Sequence, residues 1–215
     1  MANLDRPRGF APIGTLSGSP WQASQKLFYL DGSANTIAIS VGDLVVMTAG
    51  GYLNCLAAGA GATDLVGVVT AIPPADATFS TTTGTFGGHS LSATEPTLVG
   101  AGKNTVAAST AGYVMVCTAP DAILVGQEDG VATPLTLAAV GAAVDIINAG
   151  SNATTGLSGM EIDSSSVGTT ANDPLKLLGL HNIPGNELAS VDTTKPWADW
   201  MVVYNTTWMQ DNGGV

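Results

Sequence analysis

Two cysteines, two histidines and a few neighbouring carboxylates are the residues of this chain with the most obvious chemistry. Cys55 and Cys117 stand 62 positions apart and His89 and His181 stand 92 apart, so neither pair has the close spacing of a zinc site. A serine or cysteine nucleophile would need one of those histidines as its base. His89 lies among Gly87, Gly88 and Ser90, and His181 ends an apolar run, where a hydrogen-bonded structural histidine is the simpler reading. Gly156-Leu157-Ser158-Gly159-Met160 misplaces the last glycine of a nucleophile elbow. Gly100-Ala101-Gly102-Lys103-Asn104-Thr105 comes nearest to a phosphate-cradling loop. There Thr97 stands in place of the first glycine and Asn104 in place of the hydroxyl. Gly59-Ala60-Gly61-Ala62-Thr63-Asp64 puts an aspartate where a dinucleotide fingerprint needs its last glycine. Glu128-Asp129 and Glu161-Ile162-Asp163 lack the pattern of a calcium loop and read as solvated turn carboxylates. The expectation is a protein that is not an enzyme and carries neither metal nor cofactor.

The two cysteines read as small buried hydrophobes in a reducing compartment rather than as a disulfide. The opening residues contain no apolar signal core, and no apolar run reaches the roughly 18 residues of a membrane-spanning helix. The chain has 215 residues, 45% of them hydrophobic, which suffices for one core and is too apolar for a disordered protein. Seventeen acids against six bases give a net charge of −11, which excludes nucleic acid and an anionic membrane as partners. The bases are unevenly placed. Arg6, Arg8 and Lys26 against Asp5 make residues 1–26 cationic by 2, whereas residues 27–107 sum to −4 and residues 108–215 to −9.

That partition predicts two parts. Residues 1–26 form an extended N-terminal arm, loose in the free protein, with Arg6, Arg8, Phe10 and Trp21 contacting a partner or a neighbouring protomer. Residues 27–215 form a single β-rich body. Within it, β-branched runs at 37–40, 44–48, 65–72 and 113–118 alternate with glycine and proline turn signals, and Ala49-Gly50-Gly51 marks a hairpin into 52–56. Further strands are expected at 122–127, 142–148, 175–183 and 200–207, with loops at 57–63 and 149–159. Thr133-Pro134 reads as the cap and first position of a helix of one to two turns. Residues 73–110, rich in Ser, Thr and Gly, read as a long surface excursion with weak strands near Leu98-Val99 and at 105–107. The fold class is therefore mainly β, an antiparallel sandwich or barrel with few short helices. Trp197, Trp200 and Trp208 crowd together near Tyr204; alternation puts Trp200, Val202 and Tyr204 on one face, as a core strand or as a subunit interface.

The ordered set of landmarks resembles one family. Met1-Ala-Asn-Leu-Asp-Arg-Pro-Arg-Gly-Phe10, Pro12-Ile13-Gly14 and Leu16-Ser17-Gly18 are similar to the opening of head decoration (cement) proteins of tailed bacteriophages, including cyanophages. Val41-Gly42-Asp43, Leu65-Val66-Gly67-Val68-Val69, Tyr113-Val114-Met115-Val116-Cys117 and Gln127-Glu128-Asp129-Gly130 resemble its middle. Gly156-Leu157-Ser158-Gly159, Glu161-Ile162-Asp163-Ser164-Ser165, Leu177-Leu178-Gly179-Leu180 and Trp200-Met201-Val202-Val203 resemble its ending. Residues 73–104 are longer than the family's usual linker. The resemblance implies a structural virion protein, made in the host cytoplasm, that decorates the outer capsid surface. Its partners would be the major capsid protein and its own copies, as a homotrimer that clamps adjacent capsid subunits. A virion fibre or host-attachment module, with the Ser/Thr/Gly excursion as its display loop, is the alternative. A hydrolase with a cryptic site on His89 or His181 is the third reading.

Overall fold

The structure, a computed structural model, describes residues 5–33, 35–59, 65–73, 84–86, 89–91, 104–131, 133–152, 155–168, 173–186, 188 and 197–205. Along the chain the strands are β1 (Ala11–Thr15), β2 (Gln25–Leu30), β3 (Ile39–Ser40), β4 (Leu44–Met47), β5 (Leu53–Cys55) and β6 (Leu65–Ala71). There follow β7 (Gly84–Phe86), β8 (His89–Leu91), β9 (Thr105–Val106), β10 (Gly112–Cys117) and β11 (Ala122–Gln127). The last are β12 (Ala143–Val144), β13 (Ile146–Ser151), β14 (Ser158–Ile162), β15 (Leu175–Leu180) and β16 (Asp199–Tyr204). Helical structure among the described residues is confined to short 3-10 turns at Trp21–Ser24, Leu137–Ala139 and Ser164–Ser166.

The fold is mainly β, with the strands paired antiparallel. One five-stranded sheet runs β1-β11-β16-β15-β12, a second runs β2-β10-β6-β4-β5, and β13-β14, β3-β9 and β7-β8 form two-stranded pairs. The two large sheets share one apolar core. Leu124, Leu177, Trp200 and Val202 come from the first sheet, and Leu44, Val68, Val114 and Val116 from the second. On β16 Trp200, Val202 and Tyr204 are buried, as the sequence predicts, and Asp199 and Met201 are half-buried, while Val203 on the opposite face is buried as well. Tyr204 reaches across to Val68 and Cys117 of the second sheet, and burial holds its phenol well above the usual tyrosine range. Cys55 and Cys117 are both free and buried.

Local chemistry explains several of the turns. Gly51 closes the β4–β5 hairpin at φ +79°, with the Thr48 amide donating to the Tyr52 carbonyl at 2.8 Å. Gly42, between β3 and β4, sits at φ +96°, and a Cβ there would overlap the Arg8 carbonyl.

Several expectations are corrected. Residues 5–26, the described part of the arm expected at 1–26, are not separate from the body. β1 is an edge strand of the first sheet and β2 of the second, so the boundary drawn after residue 26 falls inside β2. The physical reason is apolar: Phe10 is 2% exposed, and leaving it outside would forgo roughly 2–3 kcal/mol of burial. The run at 142–148 is two strands rather than one. β12 pairs with β15 and β13 with β14, and the chain breaks between them at Asp145, whose amide donates to the Ser166 hydroxyl. β13 and β14 also take both ends of the loop expected at 149–159. Thr133-Pro134 caps nothing; the 3-10 turn starts later, and its N-cap Thr136 makes no side-chain bond. Within 73–110, β9 occupies two of the positions 105–107 where a strand was expected, while Leu98-Val99 lies outside the described residues.

At Gly67 strands β6 and β10 of the second sheet approach closely, because a Cβ there would overlap the Cys117 carbonyl and the Val116 side chain. Gly14, on the edge strand, has open space around it. Gly67→Ala is therefore expected to lower stability by about 2–3 kcal/mol and Gly14→Ala by no more than about 0.5 kcal/mol, as read from urea unfolding with an unchanged slope.

Candidate functional site

The residues singled out by type converge at one end of the first sheet. Gly126 of β11 lies opposite Trp200 of β16, and the absence of a side chain leaves space that the Phe10 ring fills. The N-terminal segment is threaded into this position between two glycines. The Phe10 amide donates to the Gly42 carbonyl at 2.8 Å, and a side chain on Gly9 would overlap Gly42 and Ser158. Two residues earlier, Arg8 Nη2 meets Asp199 Oδ2 at 2.9 Å, the one ion pair among the described residues. The Arg6 amide donates to Gln127 Oε1 at 2.8 Å, and Gln127 Nε2 donates to the Trp197 carbonyl at 3.1 Å. The Trp197 indole lies against Gly130, which is at φ +66° and has no room for a Cβ.

Arg6, Arg8, Phe10, Trp197 and Trp200 are thus neighbours, although the sequence lists them as two groups nearly 190 positions apart. Tyr204 lies further along β16, in the core. Trp21 sits elsewhere, in its 3-10 turn, packed partly against the core with its carbonyl accepting from the Cys117 thiol at 3.8 Å. Trp208 lies outside the described residues.

Sequence reasoning missed the buried carboxylates of this region. Glu128 is fully buried rather than solvated. Its Oε2 accepts the Leu135 amide at 2.7 Å and its Oε1 the Ala198 amide at 3.1 Å, with the Trp200 side chain alongside. One carboxylate therefore ties together the end of β11, the loop before the second 3-10 turn and the entry to β16. Burial outweighs these bonds and pushes its pKa up to about 7. Glu161, on β14, is also no turn residue; burial, and then the charges of Asp5 and Asp129, push it up to about 7. Asp129 accepts the Ser164 hydroxyl at 2.8 Å through Oδ1. Only Asp163 behaves as expected of a turn carboxylate, accepting the Ser165 amide at 2.9 Å to cap the third 3-10 turn. A sequence signal did exist for Glu128, which sits directly after the buried strand β11.

A second buried group lies beneath the N-terminal segment. Asp43 accepts the Ser40 amide at 2.6 Å and bonds to the Ser158 and Cys55 side chains, and burial raises it to about 6. Burial and the Asp43 charge push the Cys55 thiol far up, so it stays protonated and lacks a nucleophile's thiolate. Cys117 is shifted the same way by burial. Ser158, of the elbow-like motif, is buried at the start of β14, with its hydroxyl accepting the Met160 amide at 2.9 Å. His181 lies just after β15; its amide donates to the Asp199 carbonyl at 3.0 Å and its carbonyl accepts from Asn186 at 2.7 Å, but its buried Nδ1 has no hydrogen-bond partner among the described residues, against the expectation of a hydrogen-bonded side chain. His89 lies on β8, and residues 100–103 are outside the described residues. Among the described residues no three His, Cys, Asp or Glu side chains are grouped to hold a metal ion, and no helix is long and apolar enough to cross a membrane. The arrangement is one of anchoring: carboxylates hold backbone amides, and glycines admit aromatic rings.

Comparison with known proteins finds no matching family model, no matching curated protein and no matching solved structure.

Two outcomes follow from this geometry. The folded-state pKa of Glu128 lies above its ordinary value near 4.5, so the folded chain binds more protons across that interval. Its contribution is complete below about pH 4.5 and is lost as pH rises through about 7, a change of about 3 kcal/mol at most. Glu128→Gln should flatten the fall in the urea midpoint between pH 5 and pH 8. Separately, Phe10→Ala should cost about 3–5 kcal/mol, and Arg8→Ala, at a half-exposed ion pair, at most about 1 kcal/mol, in the same unfolding assay.

Proposed function

We propose that this chain is a structural virion protein that decorates the outer surface of a phage capsid and clamps adjacent major capsid subunits. The observation that carries this reading is the placing of apolar side chains on both flanks of the first sheet. On the β1 flank, Ile13 is 47% exposed and Leu16 60% exposed. On the opposite flank, the segment alongside β15 presents Leu137 at 59% and Val140 at 44%. An acidic protein of net charge −11 repels its own copies, so contact between copies falls to surfaces like these, where apolar area is available.

Two unlike flanks make a head-to-tail contact, and such contacts close into rings when the rotation permits. A homotrimer formed in this way would present the same face three times to the shell. Modest affinity at each contact then becomes strong through effective concentration. The order of the sequence blocks supports the same reading. The chain's own body takes up Phe10 and Arg8, so capsid contact is assigned to the face the ring presents and not to a loose arm.

Cryo-electron microscopy of the purified particle, with quantification of each protein, tests this. Threefold density outside the shell that fits the two-sheet body, at a copy number approaching that of the major capsid protein, is expected. Density confined to a tail or fibre, at low copy number, would overturn the clamp and favour the attachment reading.

A further inference from the structure

The N-terminal segment is anchored unevenly. From residue 8 onward it is held by the Arg8–Asp199 ion pair, the Phe10 amide on Gly42 and the buried Phe10 ring. Before that, its one described hydrogen bond is from the Arg6 amide to Gln127 Oε1, and both Asp5 and Arg6 are exposed. Asp5 is also the charge that bears most strongly on Glu161.

The surroundings of Glu161 are one-sided. The N-terminal segment contributes Asp5, and the end of β11 contributes Asp129, with Glu128 bridged to Ile162 next to Glu161. The residue that follows β14 is Asp163, and the partner opposite on β13 is the uncharged Ile147. No described lysine or arginine pairs with any of these carboxylates, since the ion pair Arg8–Asp199 stands alone among the described residues. Glu161 Oε1 and Asp129 Oδ2 are each buried without a hydrogen-bond partner among the described residues. Two buried carboxylate oxygens in this state are tolerable while one of the groups is neutral, and costly when both are charged. Glu161 is fixed in β14 and Asp129 is held by Ser164, so Asp5, exposed and outside any strand, is the member free to move.

We propose that residues 5–7 are a proton-controlled latch, docked through the Arg6 amide on Gln127 while Glu161 is neutral and lifted away when Glu161 ionises. Arg8 and Phe10 form the fixed hinge. The latch is independent of the capsid reading, because it concerns contacts within one chain. Its opening takes a donor from Gln127 and uncovers the acidic end of β14, so the surface around Trp197 differs on the two sides of neutrality.

Hydrogen exchange of the Arg6 amide, followed by NMR on the full chain and expressed as a protection factor corrected for base catalysis, tests the latch. Between pH 5.5 and 8.5 the wild-type protection factor should fall at least tenfold with a midpoint at about 7, while that of Val202 in β16 stays constant. In Glu161→Gln the Arg6 protection should be flat with pH. Asp5→Asn alters an exposed side chain and leaves the body folded; it should keep the amide protected to higher pH. A wild-type factor that does not change with pH, an equal fall in Glu161→Gln, or an unshifted fall in Asp5→Asn would each overturn the latch.

Discussion

The Phe10 ring occupies the space that Gly126 leaves in β11, beside Trp200, and most of what distinguishes this fold follows from that contact. A ring of this size, once buried, fixes the chain on either side of it. Downstream, β1 is delivered to the edge of the first sheet, paired with β11. Upstream, Arg8 is brought to Asp199 and the Arg6 amide to Gln127. The ion pair alone could not do this, since a half-exposed pair contributes little and an aromatic ring in a void contributes several times more. Gly9 and Gly42 are the matching concession in the backbone, allowing two segments to approach where side chains would collide.

Around that contact the protein buries carboxylates, which is unusual in a chain already carrying 17 acids and six bases. Glu128, Glu161 and Asp43 are all raised, and in each case burial is the largest cause. Glu128 is repaid by the Leu135 and Ala198 amides, and Asp43 by the nearby Ser40 amide and the Ser158 and Cys55 side chains, so both act as structural pins between segments distant in sequence. Glu161 has no such compensation and faces other acids instead. The difference between the first two and the third separates a group that holds the fold from one whose protonation can move a neighbour.

The outer flanks of the first sheet carry a different message from its buried end. Pro12 and the irregular pairing between Pro12 and Gly14 protect the β1 edge from adding another strand, because proline offers no amide. The side chains of Ile13 and Leu16 nevertheless remain exposed on that flank. An edge closed to backbone pairing but open to side-chain packing suits contact with a shaped surface. It is ill suited to open-ended growth of a sheet.

The mainly β class, the β4–β5 hairpin, the burial of both cysteines and the alternating core face of β16 were legible in the sequence. They depend on local rules: β-branched runs, glycine turns and a side-chain period of two. The site was legible only in pieces. Arg6, Arg8, Phe10, Trp197 and Trp200 could each be singled out by type, but their meeting depends on which strands pair, and strand pairing joins residues far apart in the chain. Cationic residues near the N-terminus read as a loose arm because sequence shows charge and does not show that Asp199 will stand opposite Arg8. Glu128 and Glu161 read as solvated turns for the same reason. Burial is a property of everything packed around a residue, and only the tertiary structure brings those neighbours together.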